Sequence, residues 1–116
     1  MKYVYIAGPY TKGNVNDNVR NAVMTGDLAK QCGWVPFVPH LYHQWDMFSP
    51  HDYKYWMDLC FAWVVKCDLV IRLPGESSGA DAECALARSK GIAVFESDGT
   101  ALQICKLLKG TASDGP

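Results

Sequence analysis

The chain has 116 residues and a mass of 12.9 kDa, the usual size of one domain, which buries somewhat under ~70% of its unfolded surface and leaves no room for a separate substrate domain. Hydrophobic residues make up 49% and charged residues 20%, so residues 1–109 are expected to form a single packed domain followed by a flexible tail at 110–116. Eleven Lys and Arg against twelve Asp and Glu leave a net charge of −1. That field is too weak for a nucleic-acid polymer or an anionic bilayer, and any phosphate bound is expected to be small.

The first strand is expected at Lys2 to Ala7, a nearly unbroken apolar run of the kind buried on both faces, and it stops at Gly8-Pro9. From about Asn14 to Cys32, Val15, Val19, Ala22, Val23, Gly26 and Ala29 recur at helical spacing, which predicts one stripe on the sheet and Gly33 as C-terminal cap. Trp34 to Val38 is the second strand, assigned to a sheet edge because Pro36 and Pro39 cannot donate to a ladder. The segment Pro39 to His51 is too long and too aromatic for a plain connection and is expected to be a lid.

Asp52 to Cys67 predicts a helix apolar nearly all round, with Trp56, Cys60 and Trp63 on one stripe and Phe61, Ala62 and Val65 on the other side. In so short a chain such a helix favours a subunit interface, and a homodimer or higher homo-oligomer is expected. A strand at Asp68 to Leu73 runs into the loop Pro74 to Gly79; a helix at about Gly79 to Lys90, a strand at Ala93 to Glu96 and a helix at Ala101 to Lys109 complete the chain. This alternation predicts an α/β protein with a flavodoxin-like three-layer fold, a small parallel sheet of order 2-1-3-4 flanked by helices. Ligands of such sheets lie beyond the carboxyl ends of the strands where the order reverses, and the loops Gly8 to Gly13 and Pro74 to Gly79 would meet there.

Five cysteines lack Cys-x-x-Cys spacing, no basic, apolar leader opens the chain, and no apolar run approaches the ~20 residues of a membrane span. Reduced thiols in a cytoplasmic protein are expected.

Among residues that could carry chemistry, Ser78 and Asp81 read as a capping box at the start of the helix after the third strand. Glu83 has no such explanation. Its helical neighbours are Gly79, Ala80, Leu86 and Ala87, so a carboxylate interrupts an apolar stripe at the expected ligand edge, and an unpaired glutamate is seldom buried without a function. Ser77 and the adjacent backbone N–H groups would suit a phosphate or carboxylate, although Ser77 could equally finish a turn. His40, His43, His51 and Asp46 raise a metal hypothesis, but neither a His-Glu-x-x-His helix nor a cysteine pair fixes a geometry, so no metal is expected; His40 is the histidine best placed to touch a ligand. Dinucleotide, P-loop and nucleophile-elbow motifs are missing, and no cofactor is expected. Cys60 and Cys84 fall in apolar stripes, where a structural thiol is the commoner case.

With Tyr5-Ile6-Ala7-Gly8-Pro9-Tyr10 closing the first strand and Ser77-x-Gly79-x-x-x-Glu83 opening the later helix, the chain resembles the nucleoside 2-deoxyribosyltransferase family, whose superfamily includes deoxynucleoside monophosphate N-glycosidases. The resemblance continues through Trp34 to His40, Trp63, Cys67-Asp68 and Gly91 to Phe95, covering about residues 3–96. It implies cleavage of an N-glycosidic bond in a nucleoside or nucleotide, by hydrolysis or transfer, with Glu83 attacking the anomeric carbon. It also implies that Gly8, Pro9, Tyr10 and Gly79 line the substrate site, that Ser77 holds a 5′-phosphate and His40 lies near the ligand, and that the protein oligomerises. The family's catalytic aspartate falls on Cys60, and a thiol does not replace a carboxylate that steers protons. Asp58 could substitute if the helix is rotated or irregular, though at four residues from Lys54 it also reads as an ion pair; Asp46 is another substitute, whereas Asp68 lies at the wrong end of its strand. A nucleotide-binding module that has lost catalysis is the alternative.

Overall fold

In the computed structural model, which describes residues 2–113, the opening apolar run forms β1 (Tyr3–Ala7), buried from Val4 onward. It is paired on both sides: Tyr3, Val4 and Tyr5 lie opposite Val35, Pro36 and Phe37 of β2 (Val35–Phe37), and Val4 to Ala7 lie opposite Leu69 to Arg72 of β3 (Leu69–Arg72). β4 (Ala93–Glu96) pairs with the far side of β3. Every pairing is parallel and the order is β2-β1-β3-β4, as the alternation predicts, with the proline-bearing strand at an edge.

Five α-helices cover the sheet: α1 (Val15–Gln31), α2 (Tyr42–Phe48), α3 (Tyr53–Val64), α4 (Ser78–Ser89) and α5 (Ala101–Ser113). Successive side chains of a strand point to opposite faces, so β1 feeds two cores. Val4 and Ile6 pack with Ala22 and Ala29 of α1 and Ile104 and Leu108 of α5. Tyr5 and Ala7 pack with Cys60 and Val64 of α3 and Ala80 and Ala87 of α4. The result is the expected three layers. Trp34 is buried in the first core, and its indole N–H donates to the Leu108 carbonyl at 3.2 Å, tying the start of β2 to α5.

The ends of α1 fall where the sequence puts them, while other features differ from expectation for local reasons. Asn14 caps α1 by accepting from the Asp17 N–H at 3.0 Å, and Gly33, at φ +86°, ends it. Val23 stays partly exposed while Thr25 is buried, because the Thr25 hydroxyl donates back to the Asn21 carbonyl and so enters the core with its polar atom satisfied. The segment expected as a lid loop is instead a 3₁₀ turn at Pro39–Leu41 followed by α2. A seven-residue helix whose N-cap, Leu41, makes no side-chain bond gives the sequence neither a period nor a start signal. α5 continues past Lys109 to Ser113, so residues 110–113 of the expected tail are helical, and 114–116 lie outside the described residues. All five cysteines are free. Among the described residues no helix is long and apolar enough to cross a membrane.

Candidate functional site

The two loops expected to converge do meet. Gly75 sits at φ +115°, and a Cβ there would lie 2.7 Å from Pro9 Cγ, so the loop after β3 rests on the loop after β1 only because this residue is glycine. Arg72, buried at the end of β3, fastens the second loop by donating to the carbonyls of Leu73 and Gly75 and to the Asp81 carboxylate, the last at 2.9 Å. Asp81 therefore serves Arg72 rather than a capping box. The cap of α4 is Ser77, not Ser78: its Oγ accepts from the Ala80 N–H at 3.1 Å.

Beyond the carboxyl ends of β1 and β3 these loops and the helices enclose a cavity of about 300 Å³. Gly8 and Tyr10 reach it from the first loop, and Ser77, Gly79 and Glu83 from α4 and its cap. α3 contributes Tyr53, Trp56, Met57 and Cys60, while α2 contributes Tyr42, His43 and Asp46. Gly79 leaves room for α3 as well, since a Cβ at that position would lie 2.9 Å from the Tyr53 hydroxyl, and the Tyr53 side chain would have to move aside.

Glu83 is only 5% exposed yet lines this cavity. The Tyr5 hydroxyl, projecting from β1, donates to its Oε2, and the Cys60 thiol is a second hydrogen-bonding neighbour. Burial pushes the Glu83 carboxyl up to about 7, against the opposing pull of Tyr5, Cys60 and Arg72. The same burial pushes the Cys60 thiol up to about 12, and that of Tyr5 is raised as well. Close to neutrality the trio thus holds one proton-exchanging carboxylate between two groups that keep their protons. A carboxylate poised in this way can act as nucleophile or as general base.

His40 is 5% exposed and lines the same cavity. Its Nε2 donates to the Pro9 carbonyl at 3.0 Å, and its Nδ1 has no partner among the described residues. Burial lowers its pKa, opposed by the Pro9 and Gly8 carbonyls, so the ring is neutral at pH 7 with its lone pair on Nδ1. Pro9 itself is not on the cavity wall; it supports the site through that carbonyl and through its contact with Gly75. The Tyr10 hydroxyl bonds His43 Nδ1 and so links the first loop to α2.

Asp58 does not take the place that Cys60 leaves. Its side chain is 60% exposed, bonded to Lys54 at 2.7 Å, and does not line the cavity. α3 is regular there, so two residues turn Asp58 to the outer face. Asp68 accepts from the Tyr3 N–H at the opposite end of the sheet. Asp46 does reach the cavity. Among the described residues no three His, Cys, Asp or Glu side chains gather as a metal site. Sequence reasoning passed over Tyr5, although the alternation of β1 puts its side chain on the face opposite Val4 and Ile6, the face that α4 covers.

Fold and site together define a parallel α/β protein with a carboxylate-bearing cavity at the reversal of strand order. Over residues 2–96 the chain matches the family described as "Domain of unknown function (DUF4406)", and it belongs to that family. The matched stretch holds all four strands and every residue of the cavity. No curated protein matches the chain.

Proposed function

We propose that the protein cleaves or transfers at the N-glycosidic bond of a nucleoside or nucleoside 5′-monophosphate, as the nucleoside 2-deoxyribosyltransferase resemblance suggests. The observation that carries this reading is Glu83: a carboxylate buried on the wall of a nucleoside-sized cavity, with Tyr5 fixing one of its oxygens. An ionised Glu83 oxygen bonds to the anomeric carbon as the carbon–nitrogen bond breaks, and the electron pair leaves with the base, which takes up a proton. Water or a second base then displaces the glutamate. The Ser77 hydroxyl, having accepted from Ala80, keeps its own proton to donate to a phosphate oxygen, and Lys12 on the cavity wall adds positive charge. In this reading the protein is a cytoplasmic enzyme of nucleotide metabolism that assembles as a homo-oligomer through the apolar outer surface of α2 and α3.

One observation favours the second reading, a binding module without turnover. Cys60 stands beside Glu83 with its thiol pushed up to about 12, too weak an acid to protonate a leaving base. One assay separates the two. The protein is incubated with deoxynucleosides, ribonucleosides and their monophosphates, and free base is followed by chromatography. Release abolished by Glu83→Ala supports the enzyme; release that survives the substitution removes Glu83 from the nucleophile role. Saturable binding without release from any substrate selects the module.

A further inference from the structure

Asp46 is held in place but not used up. Its Oδ1 accepts from the His51 backbone N–H at 3.0 Å and from the Trp56 indole N–H at 2.7 Å, so donors from the α2–α3 connection and from α3 fix the carboxylate plane. Both bonds fall on the same oxygen, and Oδ2 has no hydrogen-bond partner among the described residues. Nor does a cation pair with Asp46 among the described residues, although Lys12 lines the same cavity. The cavity that Asp46 lines is rich in aromatic and apolar side chains, Tyr42, Tyr53, Trp56 and Met57 among them, and Tyr10 and His43 are its polar neighbours. The two N–H donors hold the Asp46 carboxyl below its usual range, and His51 and His43 add to the effect, so Oδ2 can only accept at neutral pH.

An oriented acceptor on an aromatic wall, in the cavity that also holds Glu83, calls for a flat ligand with an N–H at its edge. Resting on the nucleoside reading above, we propose that Asp46 is the base-reading residue, and that it selects nucleobases carrying an exocyclic amino group over those carrying a carbonyl at the same position. Adenine and cytosine present an N–H₂ donor where their oxo counterparts present an acceptor oxygen, which a carboxylate repels. A hydrogen bond to a charged acceptor is worth about 1.5–3 kcal/mol, and a site that aligns its acceptor with the exocyclic position rejects the analogue with an oxygen there, whose ring N–H lies one atom away. The expected preference is about tenfold or more within each matched pair.

The test measures both binding, by quenching of tryptophan fluorescence, and base release for adenosine against inosine and for cytidine against uridine, with their deoxy forms. The wild-type protein is expected to prefer the amino member of each pair. Asp46→Asn keeps an Oδ1 acceptor for His51 and Trp56, so the tie between α2 and α3 survives, but it puts an N–H₂ donor where Oδ2 stood and is expected to abolish the preference or turn it toward the oxo member of each pair. Trp56→Phe, which frees the carboxylate to turn, is expected to reduce the preference without reversing it. A wild-type preference for the oxo member, or a ratio unchanged in Asp46→Asn, overturns the proposal, because a residue that only braces the helix would leave the ratio alone. Amino-selective binding lost in Asp46→Asn, without base release from any substrate, upholds the base-reading role while removing the glycosidase reading. Release without selectivity does the reverse.

Discussion

Glu83 sets stability against chemistry. Its carboxyl is raised from 4.5 to about 7 in the folded protein, so between these values the folded state binds more protons than the unfolded one, and stability falls as pH rises. The cost above pH 7 amounts to about 3 kcal/mol. Urea unfolding is therefore expected to show Glu83→Gln more stable than wild type at pH 8 and nearly equal to it at pH 4.5. Activity moves the other way, since the nucleophile must be ionised: kcat/KM for base release is expected to rise with pH and level off above about 7. Because the Tyr5 hydroxyl favours the ionised carboxyl, Tyr5→Phe should displace that midpoint upward, and an unmoved midpoint would mean that another group titrates. The carboxylate itself was legible in the sequence because it interrupts an apolar stripe. Its partner was not, because Tyr5 sits within an apolar strand run and only the pairing of α4 with that strand face reveals what its hydroxyl meets.

At the scale of elements, the strands and their order follow from features a sequence displays directly: β-rich runs, one proline within a strand and another just beyond it, and glycines at the loops. The start of α4 is less visible, because Ser77 and Ser78 are both good caps and the choice between them depends on Arg72, which draws Asp81 away from the capping-box role. This yields a clean separation of functions at one residue. Ser77→Ala should cost about 1 kcal/mol in thermal or urea unfolding through the lost cap. Ser77→Asp keeps a capping oxygen and places a negative charge where a phosphate would sit, so it should preserve stability and weaken monophosphates more than nucleosides; equal weakening of both would remove the phosphate role. Asp58→Ala, by contrast, is expected to leave base release unchanged, since that side chain lies on the outer face of α3.

At the scale of the molecule, Phe48, Met47, Tyr53, Trp63 and Val65 are all exposed, and Phe48 is 87% so. Sedimentation is expected to show a species heavier than the 12.9 kDa chain, and Phe48→Asp with Val65→Asp to return it to monomer. A wild-type protein that sediments as a monomer at micromolar concentration would remove the assembly proposal. The distribution of burial has a further consequence. Tyr5 and Cys60 belong to the core under α3 and α4, with Glu83 buried beside them, whereas α2 fully buries none of its seven residues, rests on that core through half-buried Tyr42, and still gives the cavity Tyr42, His43 and Asp46. α2 is thus held by Tyr42 and by side-chain bonds at His43 and Asp46 rather than by a buried face of its own, while the carboxylate of Glu83 is bound to the core. Related chains could diverge in ligand by drift within one short helix, and an engineer could graft that helix between relatives without disturbing the buried chemistry it faces.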